Sequence, residues 1–344
     1  MRKPFETVLG AVAWLSLINL AGCAGGMSTV APSGGTQPQF TVARSGAVSP
    51  IPPGMRTAAG GGRQSFTERP SGRRGGDLYV GQFSGTPVQE YPLQNKKNGP
   101  PLCSLSGESV NGIAVDPAGN LWVPSGTGGG QGFTQEYAPH CGKPMLKITD
   151  NDGQPADAGF DSHRNVYILS IFGKSGASGS VDVYNSTGTL LRNLSDSTFS
   201  ELIGIATDSH DNVFVSNRQS NGDANVLEFR HGKMPGAVLG AITLGLPGAP
   251  QLDKSNNLII TDWDALTLNV YAPPYTGSPT VTPMVGLSLW CPLDRKETHL
   301  YCANTSGSVD VYDYPSGTHA YSFTNGLSPS GFASGSAVAP AARL

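Results

Sequence analysis

The stretch Gly112-Ile-Ala-Val-Asp-Pro-Ala-Gly-Asn-Leu-Trp-Val123 is a short apolar run, a polar turn and a second apolar run. That pattern reads as a β-hairpin. The chain repeats it. Ala158-Gly-Phe-Asp-Ser-His-Arg-Asn-Val-Tyr-Ile168, Gly204-Ile-Ala-Thr-Asp-Ser-His-Asp-Asn-Val-Phe-Val215 and Pro250-Gln-Leu-Asp-Lys-Ser-Asn-Asn-Leu-Ile-Ile260 have the same form, and so does Cys291-Pro-Leu-Asp-Arg-Lys-Glu-Thr-His-Leu-Tyr-Cys302. The aligned residues Asp116, Asp161, Asp208, Asp253 and Asp294 stand 45, 47, 45 and 41 residues apart. Self-similarity at such a period marks a repeat architecture. Each Asp is read as a turn residue whose carboxylate accepts from nearby backbone amides. Five carboxylates at one repeat position have the look of a metal array, but a turn role accounts for their place at the head of each polar loop.

A third strand follows each hairpin. It reads Gln135-Glu-Tyr137, Val181-Asp-Val-Tyr184, Val226-Leu-Glu-Phe229, Leu268-Asn-Val-Tyr271 and Val309-Asp-Val-Tyr312, each ending on an aromatic. A weaker fourth strand comes next, as in Met145–Ile148 and Leu190–Leu194. Four antiparallel strands per repeat of this length make a propeller blade. At the start of the repeats, Asp77-Leu-Tyr-Val80 and Val88-Gln-Glu-Tyr91 match a second and third strand with no innermost strand before them. At the other end, Pro329–Ala333 and Ser336–Ala339 look like an innermost strand with no partners after it. A C-terminal strand that completes the first blade removes two exposed edges. One composite blade and five continuous ones predict an all-β, six-bladed β-propeller of four-stranded antiparallel blades over residues 76–344.

The repeat resembles those of NHL-type and SMP-30/gluconolactonase-like propellers. It is also similar to the streptogramin lyase family, through the run from Gly112 to Val123. The resemblance covers roughly residues 76–340 and is carried by strand and turn residues. It therefore implies architecture more than chemistry. The lactonase relatives imply a divalent cation held by Glu, Asn and Asp side chains at the channel mouth. The lyase relatives imply a His–Glu pair with magnesium, and no such pair maps onto this chain. Trp263-Asp264 is a single Trp-Asp pair, so the WD-repeat signature is missing.

Composition agrees with a turn-rich β chain. The 344 residues include 46 Gly and 27 Pro, about a fifth of the whole, and only 14% are charged against a usual level of about 25%. Helical bundles and coiled coils are poorly served by such a sequence. The formal net charge of −3 argues against binding nucleic acid through its phosphates.

Residues 1–22 read as a lipoprotein signal peptide. Arg2 and Lys3 supply a positive start, and an apolar run from about Val8 to Leu20 is too short for an ordinary membrane span. It ends in Leu20-Ala-Gly-Cys23, which resembles a bacterial lipobox. The resemblance implies that the Cys23 thiol is acylated, palmitate among the chains, and becomes the mature N-terminus. Two or three chains suffice for stable anchoring. Ala24 rather than Asp follows, which implies the outer membrane or cell surface over the inner membrane. Residues 23–75 then form the anchor and a tether rich in Gly, Pro and Ser, without the apolar pattern a fold requires. Arg56, Arg63, Arg69, Arg73 and Arg74 make its end basic, read as a solvated linker.

Ligands of a propeller usually meet the face formed by the loops into strand one and those between strands two and three. There the chain offers Asn111, Asp157 and Glu201, followed by Ala249, Leu289 and Ser330 at the equivalent places. Asp262 and Asp264 add two carboxylates in a loop between second and third strands. These five polar residues are the candidate ligand face. No catalytic constellation, metal set or cofactor motif is complete, and a divalent cation at the channel mouth stays open. Gly128–Gly130 lacks the Lys-Ser/Thr that a phosphate cradle needs. His163, His210 and His299 fall at the turns between strands one and two, and His140, His231 and His319 in outer connections.

Setting Cys23 aside leaves four cysteines. Pairing Asp294 with His299 puts Cys291 opposite Cys302 in one hairpin, within disulfide range. Its turn lacks the Asn found at 120, 165, 212 and 257, and a staple there would hold a weak register. Cys103 and Cys141, expected on outer strands of neighbouring blades, are either the second bridge or two reduced buried thiols. The reading is of an exported lipoprotein, membrane-bound through its N-terminal lipid, with a monomeric propeller that binds an envelope protein or a glycan. The other readings are a metal-dependent lactonase or lyase and a scaffold subunit of an envelope complex.

Overall fold

The computed structural model describes residues 76–83, 88–106, 110–126, 132–150, 153–173, 177–219, 222–329 and 333–339. The signal peptide, Cys23, the tether, Gly128–Gly130 and Ser330 lie outside these.

Six antiparallel sheets follow one another along the chain. Blade 1 holds β1 (Asp77–Gln82), β2 (Val88–Pro92) and β3 (Cys103–Leu105). Blade 2 holds β4 (Ala114–Val115), β5 (Leu121–Gly126), β6 (Gly132–Tyr137) and β7 (Pro144–Asp150). Blade 3 is β8 (Gly153–Phe160), β9 (Val166–Gly173), β10 (Ser178–Tyr184) and β11 (Leu190–Leu194). Blade 4 is β12 (Glu201–Thr207), β13 (Val213–Arg218), β14 (Ala224–Phe229) and β15 (Ala237–Val238). Blade 5 is β16 (Gln251–Leu252), β17 (Leu258–Asp262), β18 (Thr267–Tyr271) and β19 (Thr280–Pro283). Blade 6 is β20 (His299–Asn304), β21 (Ser308–Asp313) and β22 (His319–Phe323), after which β23 (Ala333–Ala339) returns to blade 1. There it pairs with β1 from Asp77 opposite Ala339 to Gln82 opposite Ala333, as the unpartnered ends of the sequence predict.

The sixth sheet departs from the expected four strands. Its innermost segment touches β20 only through isolated bridges at Leu293–Leu300 and Ser288–Asn304. Tyr301 and Ala303 still donate to the carbonyls of Pro292 and Trp290, at 3.0 and 3.1 Å. Pro292 has no N–H to return its bond, so the ladder is half made. Cys291 and Cys302 form the non-bonded pair between these two, the place where opposed Cα atoms come closest. They are disulfide-linked with a Cα separation of 4.1 Å.

The repeated turns are built by their aspartates. Asp116 Oδ1 accepts from the amides of Ala118 and Asn120 at 2.9 and 2.8 Å, and Oδ2 accepts from the Asn120 side chain at 3.0 Å. Asp161, Asp208 and Asp253 repeat the three bonds. In the sixth blade Thr298 replaces the Asn, donating its amide and its hydroxyl to Asp294 at 2.8 Å each. That turn is therefore not weak, contrary to the reading that its missing Asn leaves the register to the disulfide. The residue three places after each Asp is left-handed: Gly119, Arg164, Asp211, Asn256 and Glu297 have φ of 91, 64, 60, 58 and 56°.

Period-two alternation sends the two faces of each strand to different neighbours. Val213 and Val215 join the apolar cluster between blades 3 and 4, and Phe214 between them joins the cluster between blades 4 and 5. Likewise Leu78 and Val80 face blade 6, and Tyr79 faces blade 2. Among the described residues six such clusters fill the spaces between blades. A seventh, with Ile203, Trp263, Leu289 and Trp290, lies at the centre.

Candidate functional site

The innermost strands pack so closely where they start that side chains have little room. A Cβ on Gly204 would sit 2.3 Å from Ala249 Cβ, and one on Gly112 would sit 2.2 Å from the Ala156 carbonyl and 3.1 Å from the Trp290 ring. The Ala249 amide donates to the Leu289 carbonyl at 2.7 Å. Ala249 and Leu289, expected among the ligand-facing positions, are thus part of the packing. The open part of the axis is a cavity of about 160 Å³ lined by Val115, Asp157, Phe160, Thr207, Leu252 and Leu293 among others. Most of these residues directly precede the hairpin turns. The cavity therefore lies toward the face opposite the one on which the sequence places ligands.

Asp157 is the candidate residue that reaches this cavity. Its Oδ1 accepts from the Ala158 amide at 2.9 Å and its Oδ2 from the Ile205 amide at 3.0 Å. Burial pushes its carboxyl up to about 7, against the lowering effect of these bonds. The Trp290 indole N–H also lowers it from nearby but makes no bond of normal geometry.

The other candidates are engaged elsewhere. Asn111 is buried and donates its side-chain amide to the Pro155 carbonyl at 2.8 Å, tying blade 2 to blade 3. Glu201 meets Arg218 Nη1 at 3.5 Å; burial raises its carboxyl and the guanidinium opposes that rise. Asp262 accepts from the amides of Gly245, Leu246 and Asp264 at 3.0, 3.2 and 3.1 Å, and so ties the segment that leads into β16 to its own loop. Asp264 is exposed and gives its amide to Asp262. Buried polar side chains take hydrogen-bond or ionic partners within the protein, and Asn111, Glu201 and Asp262 have each done so.

On the face of the hairpin turns, Asp211 bridges two blades. It accepts from the Ser162 amide and hydroxyl at 2.7 and 2.8 Å and lies 3.3 Å from His163 Nδ1. His210 and His299 likewise sit beside turn aspartates, at 3.8 Å from Asp208 and 3.3 Å from Asp294.

Sequence reasoning missed one cluster. His140 Nδ1 lies 3.1 Å from Glu90 Oε1 and 3.5 Å from Asp77 Oδ2. Both acids are buried, and the imidazole is 66% exposed. Beside them Cys103 and Cys141 are disulfide-linked across blades 1 and 2, Cys141 lying in the loop before β7 and not on the outer strand itself. A signal was present in the sequence: Asp77 occupies the repeat position that is Asn in blades 2 to 5.

The comparisons with known proteins bear on the fold alone. No family model and no curated protein matches the chain. Among solved structures, one described as a nidogen/laminin complex aligns with a TM-score of 0.66 at 16% identity, covering 78% of this chain and 99% of that one. A protein of unknown function from Bacteroides caccae aligns with a TM-score of 0.58 at 13% identity, covering 77% of this chain and 98% of that one.

Proposed function

We propose that this chain is an exported, lipid-anchored envelope protein whose propeller binds a protein or glycan partner. The observation that carries the reading is the pairing of the cysteines. Of five, four form two bridges, Cys103–Cys141 and Cys291–Cys302, and the fifth is Cys23 in the lipobox-like Leu20-Ala-Gly-Cys23. Two bridges suit an oxidising compartment outside the cytosol. The one cysteine left over is the one that export by this route would acylate. The residue after it, Ala24, favours the outer membrane or cell surface. A closed ring of packed blades presents rigid faces suited to macromolecular partners, and the similar propeller in the nidogen/laminin structure was solved in a complex.

The test is membrane fractionation of the wild-type chain and Cys23→Ser. Wild type should sediment with membranes and carry acyl mass on its mature N-terminus, and the variant should be released. Membrane association that survives the substitution, with no acyl mass on wild type, refutes the anchor. Partner binding is tested by cross-linking in intact cells, followed by identification of material retained by the detergent-solubilised protein.

One observation favours the second reading, a lactonase or lyase. Asp157 faces the axial cavity with a pKa near neutrality, where a carboxyl can exchange protons. Turnover of lactones that disappears in Asp157→Asn would favour it over the binding module.

A further inference from the structure

Blade 1 differs from its neighbour at one repeat position, and the difference places two carboxylates together. In blade 2 the Asn120 amide donates to Asp116 Oδ2 at 3.0 Å and to Glu136 Oε1 at 2.9 Å. Register carries this arrangement onto blade 1: Leu121 opposite Tyr137 corresponds to Leu78 opposite Tyr91, and Trp122 opposite Glu136 to Tyr79 opposite Glu90. Asn120 thus corresponds to Asp77, and Glu136 to Glu90. Where blade 2 has an amide donor beside an acid, blade 1 has a second acid. The group set between them is the His140 imidazole, delivered by the loop of blade 2.

We propose that Asp77, Glu90 and His140 bind a divalent transition-metal ion, of which zinc is the natural probe, at the junction of blades 1 and 2. The three ligand atoms all fall within 4.8 Å of one another. Bonds of about 2.0–2.2 Å to a common zinc put neighbouring donors roughly 3.0–3.5 Å apart. The observed 3.1 and 3.5 Å from His140 Nδ1 match that spacing. One imidazole and two carboxylates suit zinc and its neighbours in the first transition row, and suit magnesium or calcium poorly, since these ions prefer all-oxygen shells.

The donors are held in place before any ion arrives. Asp77 and Glu90 lie on adjacent strands of one sheet, β1 and β2. The His140 amide donates to the Tyr79 hydroxyl at 3.0 Å, and the next residue, Cys141, is bridged to Cys103 on β3. His140 and Cys141 are both left-handed, at φ 60 and 49°, a conformation that persists where surroundings enforce it. The exposed imidazole leaves a path for the ion and for water in its remaining positions. Bound there, an ion joins the blade that closes the ring to the blade beside it.

The experiment uses the untagged, detergent-solubilised full chain, stripped of metal and kept without reductant, so that Cys103 and Cys141 stay bridged and offer no thiolates. Zinc is titrated by calorimetry and thermal unfolding is followed with and without it. Wild type should take up one zinc per chain and unfold at a higher temperature with zinc present, since an ion that binds the native state stabilises it. His140→Ala should lower the affinity by more than about tenfold and abolish the thermal shift. Asp77→Asn introduces the residue found at this repeat position in blades 2 to 5, so it should fold at least as well as wild type and lose the site. Absence of saturable uptake by wild type, or uptake that survives both substitutions, overturns the proposal.

Discussion

Asp157 is held by two backbone amides, which favour its charged form, yet burial outweighs them and its pKa rises to about 7. A carboxyl that keeps its proton to higher pH in the folded state than in the unfolded one stabilises the fold where it is protonated. That contribution is fully present below about pH 4, the unfolded value, and is lost as pH rises toward about 7. A difference of about three units corresponds to on the order of 4 kcal/mol. Asp157→Asn should remove this dependence. Chemical denaturation of the two proteins across that interval should show wild type losing stability relative to the variant as pH rises. Parallel profiles would mean that the Asp157 carboxyl titrates normally.

The element that repeats is the hairpin with its aspartate turn. Four copies use the same carboxylate geometry, and the fifth, in blade 6, substitutes Thr298 for Asn and keeps both the amide and the side-chain bond. Asp294 is buried, so a bond removed there is not replaced by water. Thr298→Val should destabilise the protein by about 1–2 kcal/mol, whereas Thr298→Asn should be close to neutral. Urea titration checks both, provided the slope stays constant. An equal loss in the two variants would show that the Thr298 side chain packs rather than bonds. At this scale the sequence is highly legible. The spacing of Asp116, Asp161, Asp208, Asp253 and Asp294 located every turn, because an Asx turn is a local structure made within five residues. The inner strand of blade 6 was less legible. Pro292 leaves its ladder half made, and whether Trp290 and Leu289 then join a sheet or a central apolar cluster depends on neighbours far along the chain.

At the scale of the whole molecule, β23 closes the ring by pairing with β1 along its length. Its Ala333 and Val338 join the cluster between blades 6 and 1, and Ala337 and Ala339 join the one between blades 1 and 2. Deleting residues 333–344 exposes the inner edge of β1 and opens both clusters at once. The truncated chain should aggregate or lose cooperative unfolding, since an unpaired edge is a template for association. A truncated protein with the wild-type melting curve would show that the ring is closed without this strand.

Much of this protein is decided by short-range pattern. Period-two alternation made the strands, aspartate turns joined them, and the count of repeats with incomplete ends required six blades and a returning C-terminal strand. The facing of Cys291 and Cys302 followed from the same register. Function-bearing geometry obeyed a different logic. Asn111, Glu201 and Asp262 have the residue types of a ligand-binding face, but a backbone carbonyl of the next blade, the Arg218 guanidinium and the backbone amides of an adjacent loop take up their side chains. Conversely, Asp77, Glu90 and His140 are 13 to 63 residues apart in sequence and meet because register sets the first two side by side and a loop of the next blade reaches over them. A pattern along one chain specifies which face of a strand a side chain occupies. Which groups meet across two blades is settled only when the ring closes, because that contact depends on packing between elements whose sequences carry no local record of each other.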